Sequence, residues 1–126
     1  MNVAHLCVLI AAALPYAFVF YAKSNRRYLK SGNNDPRAYA LTLEGAKKRS
    51  YNAHLNGFEA FAPFAAGVLL AEQAGVAQGT IDQLAVVFVI ARVVHGLLYI
   101  LDQATLRSIV WSVGVGCVVG LIGLSL

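Results

Sequence analysis

Residues 3–22 read VAHLCVLIAAALPYAFVFYA, with no Asp, Glu, Lys or Arg and only His5, Cys7, Tyr16 and Tyr21 as titratable side chains. A helix rises about 1.5 Å per residue and the hydrocarbon core of a bilayer is about 30 Å thick, so a run of this length crosses it. Three further stretches reach span length: residues 50–71 (SYNAHLNGFEAFAPFAAGVLLA), 83–101 (QLAVVFVIARVVHGLLYIL) and 108–126 (SIVWSVGVGCVVGLIGLSL). The expectation is a single all-α domain over residues 1–126, an integral membrane four-helix bundle with up-down topology.

Composition narrows the class further. Of the residues, 59% are hydrophobic and 13% charged, against about 25% charged in an average soluble chain. Eight of the ten Lys and Arg lie between Lys23 and Arg49. That segregation excludes a nucleic-acid binder built on a general basic surface, despite the net charge of +4. Disorder and a disulfide scaffold are excluded too. Cys7 and Cys117 both fall inside expected spans, where cysteine packs as a small apolar residue.

Charge also sets the orientation. Basic residues near span ends stay on the cytoplasmic side. The first connection holds the basic cluster, the second only Glu72 and Asp82, and the third Arg107. Connections one and three are therefore expected in the cytoplasm and both termini on the opposite side, as in a bacterial inner-membrane protein. No basic segment precedes the first apolar run, which reads as a retained anchor rather than a cleaved signal. Within the first connection Asp35 is placed to cap a short helix beginning at Pro36. Gly75 and Gly79 are expected to stop the second span, Thr80 to start the third, and Asp102 to Thr105 to form a tight turn.

Charge within a membrane costs a few kcal/mol per residue, so Glu59 and Arg92 are the first candidates for function. Steps of three, four and seven residues return to one helix face. Arg49, Asn52, Asn56 and Glu59 thus form one polar stripe. His54, turned about 200° from Asn56, faces another helix or a neighbouring subunit. Pro63 lacks the N–H that would bond the Glu59 carbonyl, so a kink is expected there. Arg92, His95, Tyr99 and Asp102 make a matching stripe. Arg92 opposite Glu59 reads as a structural ion pair, as one wall of a polar pocket, or as both. If Asp102 or Thr105 caps the last helix, Arg107 stands in its first turn, where a cation is mildly unfavourable. It then either snorkels to lipid phosphate or, with the helix N-terminus, binds an anion. The Lys47-Lys48-Arg49 run reads as a topology signal contacting lipid headgroups. Gly116 and Gly120 allow close helix approach. His54, Glu59 and His95 contain no tight helical pair of ligands, so no metal site is expected.

The segment Ala53-His54-Leu55-Asn56-Gly57-Phe58-Glu59, followed by a proline, resembles the Asn-x-x-Glu element of the MAPEG family, the membrane-associated proteins of eicosanoid and glutathione metabolism. Ala91-Arg92-Val-Val-His95-Gly96-Leu-Leu-Tyr99, with Thr105-Leu106-Arg107 after it, is similar to that family's third-span and turn pattern. The resemblance covers nearly the whole chain and is closest to bacterial members. It implies a homotrimer of four-helix subunits, embedded among membrane lipids, with glutathione as co-substrate between neighbours near the cytoplasmic face. By the same resemblance Asn56 and Glu59 hold the peptide part of glutathione, Arg92 pairs with Glu59 or a ligand carboxylate, Tyr99 donates a hydrogen bond, and Arg107 stabilises the thiolate. The implied activity is that of a transferase or peroxidase acting on lipophilic electrophiles.

This chain departs from the family pattern in three places. Asn52 stands where enzymatic relatives commonly carry Arg, Ala60 where they often have Tyr or Asn, and His95 where they have an aromatic hydroxyl. Arg49, seven residues before Asn56, is the candidate to replace the missing guanidinium. The alternative implied by these departures is a non-catalytic lipid-binding or scaffold protein of the same family.

Overall fold

A computed structural model describes residues 2–126, which are helical throughout apart from short connections. The elements are α1 (Val3–Ala22), α2 (Arg26–Lys30), a 3-10 turn (Gly32–Asn34), α3 (Pro36–Leu41), α4 (Gly45–Gln73), α5 (Gln78–Ile100) and α6 (Ala104–Leu124). Three of the long helices, α1, α5 and α6, are long and apolar enough to cross a membrane. The fourth, α4, carries the charge of Lys47, Lys48, Arg49, Glu59 and Glu72 along its length.

The first helix occupies the expected residues, whereas the others start earlier than apolarity alone suggests. Helix α4 begins at Gly45, α5 at Gln78 and α6 at Ala104, because polar residues continue a helix as readily as apolar ones once it leaves the hydrocarbon. Thr80 therefore lies inside α5, and the residue before its first turn is Ala77. Gly79 is also helical, leaving Gly75, with φ of 76°, to end α4. Neither Asp102 nor Thr105 caps α6. Gln103 stands at that position, and Asp102 adopts a left-handed turn conformation with φ of 61°. Asp35 does cap α3, accepting from the Ala38 N–H at 3.1 Å.

Named contacts fix the helix directions. Helix α1 runs antiparallel to α4: the Ser50 hydroxyl donates to the Phe18 carbonyl at 2.8 Å near one end, and Asn2 donates to Glu72 at 2.8 Å near the other. At the crossing Gly57 lies so close to Pro15 that a Cβ would meet the proline ring at 2.8 Å. Gly96 of α5 is closed over in the same way by the Phe18 ring. The central core is apolar, with Phe64 and Phe88 stacked at 3.9 Å between centroids and Ala4, Cys7, Val68, Ile81, Cys117 and Leu121 around them. Burial of such side chains contributes roughly 1.5–3 kcal/mol each relative to exposure in water.

The first connection is a folded cap. Tyr28, Tyr39, Ala40 and Leu43 pack with Ala22 and Tyr51 into a small second core. Two of the three consecutive basic residues lock this end. The Lys47 ammonium donates to the Tyr21 carbonyl at 2.7 Å, and the Arg49 guanidinium donates twice to the Ile100 carbonyl, at 3.1 and 3.0 Å. Arg49 thereby satisfies a carbonyl in the last turn of α5, whereas Lys47 joins Ser24 on a carbonyl in the last turn of α1; the helix dipole favours a cation at both ends.

Candidate functional site

Asn56, Glu59, Ala60 and Pro63 recur at helical spacing on one face of α4, and that face meets Phe88 and Arg92 of α5 and Trp111, Gly114, Val115 and Val118 of α6 around a cavity of about 320 Å³. A second, more polar cavity of about 210 Å³ is lined by Asn56, His95, Tyr99, Arg107, Ser108 and Trp111. The two share Asn56 and Trp111, and they lie end to end along the groove between α4 and α6.

Arg92 is buried to 6% exposure and its guanidinium donates to the side-chain oxygen of Asn56 at 2.8 Å. The Asn56 amide nitrogen in turn donates to a Glu59 carboxylate oxygen at 3.2 Å. The expected Arg92–Glu59 pairing is thus mediated by the amide. Among the described residues the only direct ion pair joins His5 to Glu72, at 2.9 Å near the opposite end of the helices. This arrangement leaves the second oxygen of the exposed Glu59 carboxylate free to accept from a ligand ammonium. It also leaves most of the five donors of Arg92 for an anion.

His95 is 3% exposed and its Nδ1 is buried with no hydrogen-bond partner. An orphaned buried polar atom is costly, and this one belongs to a residue that lines the second cavity. The imidazole packs edge-on to Tyr99 at 5.6 Å, and the Arg107 guanidinium lies over the Tyr99 ring at 4.2 Å. Tyr99 therefore positions Arg107 by a cation–π contact. Arg107 stands in the first turn of α6 and its side chain lines that cavity, bringing positive charge to it.

The remaining expected site residues are placed elsewhere. Arg49 caps α5 through Ile100. Asn52 is half-buried and lines neither cavity. The His54 ring nitrogen Nδ1 meets the Pro15 carbonyl at 2.9 Å, so His54 joins α4 to α1 on the face away from Asn56. It lines a wider cleft with Lys23, Arg37, Tyr51 and Phe58 beneath the first connection. Phe88, Ser108, Trp111, Gly114, Val115 and Val118 line the cavities without having been candidate site residues in the sequence. Trp111 had a signal: it follows Arg107 by four residues, on the same helix face. Among the described residues no group of three or more His, Cys, Asp or Glu is placed to hold a metal ion.

An all-helical chain with three membrane-length apolar helices, and with a buried guanidinium linked through an amide to an exposed carboxylate beside a hollow, is a membrane protein with a polar site. The chain matches the MAPEG family over residues 3–126 and belongs to that family. No curated protein and no solved structure matches it.

Proposed function

We propose that this protein is a glutathione-dependent membrane transferase or peroxidase for lipophilic electrophiles, working as a homotrimer of four-span subunits with both termini on the non-cytoplasmic side of a bacterial inner membrane. The observation that carries the reading is the pair of adjoining cavities, one polar and one apolar, sharing Asn56 and Trp111. Glutathione carries two carboxylates, an ammonium and a thiol. Glu59 receives the ammonium, and Arg92 takes a carboxylate alongside Asn56. With its thiol ionised the ligand bears two net negative charges, against one net positive charge from Arg92, Arg107 and Glu59 together. Arg107 and the α6 N-terminus favour the thiolate, which is the nucleophile. Its sulfur bonds to the electrophilic carbon, and the leaving group departs with the displaced electron pair.

Calorimetric titration with glutathione, repeated on Glu59→Gln, tests this reading together with conjugation of an activated aryl halide. Binding weakened at least tenfold by Glu59→Gln, with turnover above the detergent blank, supports it. Absence of both binding and turnover ends it. The non-catalytic lipid-binding reading is favoured by one observation. Arg49, the candidate substitute for the guanidinium missing at Asn52, is spent on the Ile100 carbonyl. Lipid retained through purification, with no glutathione binding, would select that reading instead.

A further inference from the structure

The apolar cavity has a defined length. Its α4 lining runs from Asn56 to Pro63 and its α6 lining from Trp111 to Val118; seven residues of helix advance about 10 Å. Beyond Pro63 the slot is shut. Gly67 of α4 approaches α6 so closely that a Cβ there would stand 3.2 Å from the Leu121 Cβ and 3.4 Å from Ile122. At the other end the slot gives onto Asn56, Glu59 and Arg92. The flank at Pro63, Trp111 and Val115 is exposed, so the floor stops a group that extends along the helices, after about 10 Å.

One wall is flat and fixed. Phe88 is held by face-to-face stacking on Phe64, with the planes 9° apart. Trp111 stands on α6 and the Pro63 ring on α4. Between them Ala60 and Gly114 contribute almost no side chain. A Cβ on Gly114 would rest at ordinary contact, 3.9 Å from both Phe88 and the Arg92 side chain, so anything larger than methyl there would occupy the slot itself. Aromatic walls with the space between them left open favour a flat ring, by offset stacking and edge contacts in addition to area burial.

We infer that the slot between α4 and α6 takes a compact one- or two-ring aromatic group, so that the electrophile proposed above is a small aryl compound rather than one built on a long acyl chain. The inference rests on that function for the word electrophile, but the slot's selectivity can be read without glutathione. Trp111 is the only tryptophan in the chain, and its fluorescence reports the slot directly.

The experiment uses the full-length protein in lipid vesicles with 1-bromonaphthalene as a contact quencher. Competitors are naphthalene, p-terphenyl (a rigid rod longer than the slot) and hexadecane, all compared at equal mole fraction in the membrane. The expected result is a saturable component of quenching, displaced by naphthalene at least tenfold more effectively than by p-terphenyl or hexadecane. Gly114→Leu removes that component. Gly116→Leu, at a position where a Cβ meets nothing within 4 Å, retains it, which separates slot filling from general damage to α6. Quenching that never saturates, equal displacement by hexadecane, or an unaffected Gly114→Leu overturns the inference. Glutathione binding alongside any of these results leaves the proposed function standing, whereas selective naphthalene binding without glutathione binding overturns that function and keeps the slot.

Discussion

Arg92 and Glu59 are joined through Asn56: the guanidinium donates to the amide oxygen at 2.8 Å and the amide nitrogen donates to the carboxylate at 3.2 Å. The amide is therefore oriented at both ends, and neither charge is cancelled by direct contact. A direct pair would bring the two charges together and leave little for a ligand. Interposing a neutral group holds both in place with unused donors and acceptors. For a zwitterionic ligand that is the better arrangement, because ammonium and carboxylate need opposite charges a few ångströms apart.

Asn56→Ala removes both hydrogen bonds at once and leaves the buried Arg92 without the one partner it has. Losing a partner at a buried group costs about 1–3 kcal/mol, more for a charged one. The expected outcome is a lower melting temperature in detergent together with loss of glutathione binding. Asn56→Gln, which keeps the amide but moves it by one methylene, should recover part of the stability and little of the binding. Equal stability of Asn56→Ala and wild type would show that Arg92 finds another partner.

The packing of α1 against α5 gives a sharper stability test. Gly96 is covered by the Phe18 ring, while Phe18 is also the residue whose carbonyl receives the Ser50 hydroxyl. Gly96→Ala forces the ring aside, an overpacking cost of about 1–3 kcal/mol. Phe18→Leu should cost stability alone yet rescue Gly96→Ala in the double variant, a coupling that thermal unfolding of the four proteins measures. Additive losses would place the strain elsewhere.

Arg49 separates reading by spacing from reading by structure. The interval of three and seven residues puts it on the Asn52–Asn56–Glu59 stripe, of which Asn56 and Glu59 share a cavity while Asn52 lines none. Yet a long guanidinium is free to reach the carbonyl of Ile100, at the end of another helix. Spacing along one helix says nothing about open carbonyls on the next. Three of the four apolar runs were legible as membrane-length helices because the hydrocarbon sets their length. The 200° offset of His54 from Asn56 was legible too, and it meets Pro15 on α1. The apolar slot was not, because it is made of what small residues leave out. Ala60 and Gly114 line it from different helices, and only their facing across α4 and α6 turns two minor positions into a space.

Since Arg49 caps α5, Arg49→Ala should lower stability by about 1 kcal/mol, the scale of a charge-assisted hydrogen bond at a helix end. Glutathione affinity should remain near that of the wild type. Arg49→Lys should recover part of the stability. A tenfold or greater loss of affinity in Arg49→Ala, with stability unchanged, would return Arg49 to the ligand site.

Arg107 gives the prediction with a sign in pH. Its guanidinium, held over Tyr99 at 4.2 Å in the first turn of α6, places positive charge where the proposed thiol lies. A nearby cation favours the ionised form of an acid and so lowers its pKa. A free cysteine thiol titrates near 8.5, so at neutral pH most of it is unreactive without such help. Arg107→Ala should therefore raise the pKa of the bound thiol, moving the rise of the pH–rate profile to higher pH. Turnover at neutral pH should fall by about 10²-fold, the scale of removing one preorganised charge-stabilising donor, and recover in part as the solution is made alkaline. Arg107→Lys keeps the charge but loses the flat stack on Tyr99, and should fall between the two. Ultraviolet absorbance of the bound thiolate tracks the same shift independently of turnover. A loss of rate that is uniform across pH, with thiolate absorbance unchanged, would mean that Arg107 orients the ligand without setting its ionisation.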